Sequence, residues 1–279
     1  MLIRDLSETF KQTLLCAVLM VVSGTAVSAE FSVGVVPQFE AQRINTVWRP
    51  ILDELSTRTG HTFHLRGEPG IPAFEQAIGR GDYDFVYMNP WHAVIANELQ
   101  GYVPLVKDGD LMLTGILVVA EDSTVTDPMA LDGQEIVFPS PNALGASLLM
   151  RADLQQIFGI RFTPVYVQTH PSVYLNVAVG SSVAGGGVRS TLLEQPPILQ
   201  EKLRIIYETR EMFPHPLAVH PRVDAEAAAQ VMDALLQMGQ ESDSAELLRH
   251  IPMIKPVPAH IHEYLILKEW GLGEFYVQE

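Results

Sequence analysis

The chain predicts an α/β fold of two lobes, each a mostly parallel sheet flanked by helices, with a ligand cleft between them. Three observations carry this expectation. Short β-rich runs alternate with longer helical segments, which is the spacing of parallel β-α-β units. That rhythm restarts after the apolar run Leu113–Val119, as a second lobe would require. The chain has 279 residues and one cysteine, so it is long enough to bury cores without disulfides.

The first segment is an export signal. Arg4 and Lys11 make a modestly basic start, Leu14 to Val22 is unbroken apolar, and Val27-Ser28-Ala29 places small residues at a cleavage site. The run is too short for an ordinary spanning helix, so cleavage after Ala29 is expected, leaving a mature chain that starts at Glu30. Cys16 lies inside the apolar run and lacks the small residues that precede a lipidated cysteine.

In the mature chain, Phe31–Val36 reads as a strand. Residues 41–59 form an amphipathic helix with Ile44, Val47, Ile51, Leu52 and Leu55 on one face, stopped by Gly60. Thr62–Leu65 and Tyr83–Met88 are strands around a helix at 73–78, and Pro90 opens another helix. After Leu113–Val119, the Asp132-Gly133 turn leads into a strand at Glu135–Phe138 and a helix at 145–158. Thr163–Val167 is a strand and Pro171–Val179 a helix. A glycine-rich segment at 183–188 then precedes a helix near 191–201. Leu203–Tyr207 and Leu217–Val219 are strands, and the remainder is mostly helical, including 225–238 and 261–270.

Composition narrows the function. The net charge is −15, no basic block occurs, and the only cysteine lies in the signal. That argues against nucleic acid or an anionic membrane as partner, and it removes thiol chemistry from the mature chain. A small anion in a local pocket remains compatible. No serine sits in a nucleophile elbow, and Gly185-Gly186-Gly187 lacks the lysine and hydroxyl residue of a phosphate loop. Among nine histidines the closest spacings are His260-x-His262, His215…His220 and His61…His64, none with a recognised zinc pattern. His260 and His262 are expected to point in different directions. Neither an enzyme nor a metal or cofactor is expected.

Several motifs, in order, resemble the phosphate/phosphonate-binding periplasmic proteins of ABC importers. They are Gly34-Val35-Val36-Pro37, the stretch Trp48 to Leu55, Gly79-Arg80-Gly81-Asp82-Tyr83-Asp84-Phe85, and Asn89-Pro90 after the third strand. Leu131-Asp132-Gly133-Gln134, Gly145, Gly159-Ile160, His170 and Ala178-Val179 follow at matching intervals, so the resemblance covers about 31–190. It implies a periplasmic-binding-protein-like fold in which the chain leaves the first lobe and returns, crossing near Met112–Val119 and Pro214–Pro221, so that the expected lobes are 30–111 with 217–279, and 112–216, closing on a ligand about that hinge.

Loops after parallel strands, at helix N-termini, bind ligands in such sheets. Phe39, Asn89 and Trp91 follow the first and third strands, and Ser140-Pro141-Asn142-Ala143-Leu144 enters the second lobe's first helix. Where the family has Ser-Thr-Ser before the glycine, this chain has Asn142, Ala143 and Leu144. Each lost bond to a charged ligand is worth about 1.5–3 kcal/mol, so weak binding of simple alkylphosphonates is expected. His170 sits where the family has a ligand-binding histidine. Arg189, after the glycine run, suits a carboxylate or second oxyanion. The expected function is a monomeric extracytoplasmic solute-binding protein that captures a phosphate-, phosphite- or phosphonate-like anion for an ABC permease. The alternative is a periplasmic sensing subunit for a two-component histidine kinase.

Overall fold

A computed structural model describes residues 28–278. The apolar run of the signal lies outside the described residues. Glu30, the expected mature N-terminus, is the first residue of strand β1 (Glu30–Val35).

One sheet has six strands, in the order β11-β4-β10-β3-β1-β2. Here β2 is Thr62–Arg66, β3 Phe85–Tyr87, β4 Val103–Asp108, β10 Leu217–Val219 and β11 Pro256–Pro258. The other has five, β7-β6-β8-β5-β9, with β5 Gly115–Ala120, β6 Glu135–Phe138, β7 Thr163–Tyr166, β8 Ala184–Val188 and β9 Leu203–Glu208. Both sheets are mixed. The β-α-β strands pair in parallel, β1 with β2 and β3, β6 with β7 and β8. The strands that deliver the chain to each lobe, β5 and β10, are instead inserted antiparallel.

The first helix, α1 (Ala41–Thr59), matches its sequence signal: Ile51, Leu52 and Leu55 are buried with Trp48, and Gly60 caps it at φ 74°. Helix α2 (Ile71–Arg80) buries Phe74, and α3 (Pro90–Gln100) begins at the predicted proline. In the second lobe, helix α4 (Leu149–Gln156) is preceded by a π turn, Leu144–Leu148, and α5 runs His170–Ala178.

The glycine run is strand β8, a central strand of its sheet. A Cβ on Gly186 would lie 2.0 Å from the Ala146 carbonyl oxygen, and one on Gly187 2.3 Å from the Tyr174 hydroxyl. On β5, a Cβ at Gly115 would meet the Gly145 carbonyl oxygen at 2.2 Å. The run is glycine because the π turn and α5 lie against the sheet too closely for any side chain.

The two crossings are tied to each other. Leu113 N–H donates to the Met212 carbonyl at 2.8 Å, and Met212 N–H returns a bond at 3.1 Å. This isolated antiparallel bridge lies outside both sheets.

Candidate ligand-binding site

The lobes meet on a small cavity bounded by Val36, Gln38, Ile71 and Asn89 from one side and Ala143 to Ala146, His170 and Val188 from the other. The crossings contribute Leu113 and His215 to its wall. Its free space, about 10 Å³, is that needed by one water.

Two imidazoles dominate this cavity. His170 opens α5 and is 1% exposed. Its Nδ1 faces the Thr191 hydroxyl at 3.2 Å, and that hydroxyl bonds in turn to Tyr174 and the Val188 carbonyl. His215 follows Pro214 on the return crossing and stacks on Tyr87, with 5.5 Å between centroids. Among the described residues neither Nε2 has a hydrogen-bond partner. Burial pushes both groups down to about 3, helped for His215 by the neighbouring His92 and His170. Both rings are therefore neutral near pH 7, and each has an unmatched nitrogen at the cavity, a costly arrangement without a ligand.

The π turn adds main-chain donors. The first bonds of this helical segment run from Ser147 and Leu148 N–H to the Ala143 carbonyl. Leu144, Gly145 and Ala146 line the cavity, and their amides precede the helical ladder, the arrangement that suits an anion. Beneath the turn, the Arg151 guanidinium is 8% exposed and donates to Pro141 and Phe275 carbonyls at 2.8 and 2.7 Å. It also donates to the Ser147 hydroxyl at 3.3 Å, so its hydrogen-bond partners among the described residues are neutral oxygens and it places a positive charge beside the loop.

Of the nine residues singled out from sequence, Asn89, Ala143, Leu144 and His170 line this cavity. The other five do not. Asn142 is buried, but its side chain turns to Glu75 and to the main chain of Val277. Ser140 is buried with an unpartnered hydroxyl, and Trp91 packs near Tyr276 with its indole N–H likewise unpartnered. Phe39 lies under the Arg43 guanidinium, 3.9 Å from the ring centroid, at the mouth of the cleft. Arg189 is half-exposed on the surface and paired with Glu208. Sequence reasoning missed His215, although its place between Pro214 and Pro216 on a crossing segment was the available signal. His260 and His262 do not diverge as expected; their rings stack at 5.5 Å and 12°.

The fold is a two-lobed α/β architecture with paired crossings and a cavity between the lobes. The chain belongs to the periplasmic phosphonate substrate-binding family of ABC transporters, whose family model matches residues 33–264. It is similar to a binding protein component of an ABC phosphonate transporter from Pseudomonas aeruginosa, at 15% identity and TM-score 0.75, over 87% of this chain and 85% of that one. It is also similar to PhnD1 from Prochlorococcus marinus in complex with methylphosphonate, at 14% identity and TM-score 0.79, over 89% and 99%. A Xanthomonas citri protein bound to chloride ion matches at 17% identity and TM-score 0.72, over 88% and 98%. Membership makes this chain a substrate-binding transport component that acts outside the cytoplasm, with a small solute and a membrane permease as counterparts.

Proposed function

We propose that the protein captures a small oxyanion of the phosphonate, phosphite or phosphate class between His170, His215 and the amides of Leu144 to Ala146. The observation that carries this reading is the pair of buried imidazoles lining one cavity, each with an Nε2 that has no hydrogen-bond partner among the described residues. A donor from each ring, the turn amides and the nearby Arg151 charge would together replace the three hydroxyls for which this chain has Asn142, Ala143 and Leu144. Methylphosphonate, which offers little besides its oxygens, binds at micromolar affinity or weaker.

Residues 30–111 with 217–279 form one lobe and 112–216 the other, opening about the Leu113–Met212 bridge to admit the anion. The protein is exported to the periplasm, cut after Ala29, monomeric, and performs no chemistry on its ligand. Calorimetric titration of the mature protein with methylphosphonate, phosphite, phosphate, sulfate and acetate tests the reading. Binding by at least one phosphorus oxyanion, with the ligand recovered unchanged by phosphorus NMR, is the expected result. No heat with any phosphorus oxyanion, or binding of acetate alone, overturns it.

A further inference from the structure

We infer that the groove along the crossing segments is a subsite for an uncharged, apolar substituent on the oxyanion. This rests on the oxyanion reading above and extends it to the rest of the ligand.

The groove has a free volume of about 290 Å³, far more than the cavity, and shares Gln38, Leu113 and His215 with it. A smaller space of about 40 Å³ also borders the cavity, at Val36 and Gln38, but His215 is a wall of the groove and not of that space, so a substituent on an anion held at His215 can extend into the groove. The walls of that space include Leu111, Met112, Leu193, Pro214, Pro252 and Ile254. Three of these are unusually open to solvent for apolar side chains: Leu193 at 64%, Ile254 at 46% and Met112 at 42%. Clustered apolar exposure of this kind marks a surface that something covers.

Charge decides what covers it. Each arginine and carboxylate on the groove is already matched within the protein: Arg189 with Glu208, Glu194 with Arg43, and Arg249 with Glu246. Among the described residues a substituent bearing an amine or a carboxylate therefore meets no unpaired arginine or carboxylate there and, besides His215, only the imidazole of His250. The groove on the opposite side of Phe39 is larger, about 460 Å³, and carries Glu40 and Glu68, but it shares no wall residue with the cavity. The ligand class is therefore an oxyanion head on a hydrocarbon substituent.

The test is a calorimetric series of straight-chain alkylphosphonates, methyl to octyl, against the mature protein and its Leu193→Asp/Ile254→Asp variant. Affinity should rise about two- to fourfold for each methylene that enters the groove, the upper figure corresponding to full burial. Both substitutions fall on exposed side chains, so the variant should keep methylphosphonate affinity within about twofold and lose the chain-length gain. A flat series with methylphosphonate bound overturns the subsite and leaves the oxyanion reading standing. A gain that persists in the variant, or aminoethylphosphonate binding tighter than propylphosphonate, also overturns it. Failure of every member to bind removes the oxyanion reading and the subsite with it.

Discussion

Asn142 and Val277, 135 residues apart, are joined by a pair of hydrogen bonds: the side-chain amide donates to the Val277 carbonyl at 2.8 Å and accepts from its N–H at 3.0 Å. The same amide nitrogen donates to Glu75 at 3.0 Å. Asn142 thus clamps Val277 to the loop that enters the second lobe's first helix. Arg151, bonded to the Phe275 carbonyl, holds the same C-terminal tail.

Asn142→Ala should therefore act on stability. It removes three buried or half-buried hydrogen bonds, each worth about 1 kcal/mol, a total of about 2–3 kcal/mol. At about 2–4 °C per kcal/mol for a chain of this size, the melting temperature should fall by about 5–10 °C. Deleting residues 276–279 should reproduce most of that loss in the wild type and add little in the variant. An unchanged melting temperature for Asn142→Ala would show that the clamp does not contribute.

The two cavity histidines predict an acid-sensitive unliganded protein. Folded His170 and His215 take up a proton only near pH 3, whereas unfolded histidine does so near 6.5. Between those values the unfolded chain holds more protons, so stability falls as pH drops from about 6.5 toward 3. Thermal melts in phosphate-free buffer should show this slope, and a His170→Gln/His215→Gln variant should flatten it. Ligand binding runs the other way, because an anion favours the protonated rings, so phosphite affinity should rise on acidification. His170→Gln alone should weaken any bound phosphorus oxyanion about tenfold or more, the size of one charge-assisted hydrogen bond. A phosphite affinity that falls with acidification counts against histidine contact.

Local pattern made much of the fold legible, and long-range geometry supplied the rest. The apolar stripe from Ile44 to Leu55 and the stop at Gly60 define α1 because helix periodicity and a left-handed cap are local properties. Residues 225–238 are helical for the same reason. Strand β4 was not legible, since Pro104, Lys107 and Asp108 interrupt an apolar pattern; Asp108 is buried because it accepts from the Asp110, Leu111 and Lys255 amides. Edge strand β11, Pro-Val-Pro, reads as loop for a similar reason. Pro196-Pro197 divides the helix expected at 191–201 into Arg189–Leu193 and Pro197–Gln200. His170, which lines the cavity, was visible through its resemblance to the family's histidine. The outward turn of Asn142 depends on a partner 135 residues away, which no local pattern encodes.

Gly186→Ala tests why the second sheet has a glycine strand at its centre. The added Cβ would collide with the Ala146 carbonyl at 2.0 Å and with the Phe138 ring at 2.6 Å, and neither is the loose end of a flexible side chain. Overpacking of this kind costs about 1–3 kcal/mol and more where backbone must move, so a loss of at least about 3 kcal/mol is expected by urea unfolding. Gly67→Ala is the matched control, with nothing within 4 Å of its Cβ position, and should change stability by less than about 0.5 kcal/mol. Equal effects at the two sites would show that the close approach is not what selects glycine.

The last prediction concerns the cleft. Arg43 on α1 and Glu194 beyond β8 pair at 2.7 Å across the lobes, with the guanidinium stacked on Phe39. Both side chains are about one-third exposed, so the pair is screened and contributes less than about 1 kcal/mol. It joins lobes that must separate for a ligand to leave, so its contribution should appear in the dissociation rate. Arg43→Ala should speed release of a bound phosphorus oxyanion about two- to fivefold in stopped-flow measurements, and high salt should reproduce that change in the wild type. Glu194→Ala should do the same, and the double variant should add little, because both changes remove one interaction. Additive effects of the two substitutions would show that the residues act separately and that this contact does not hold the lobes together.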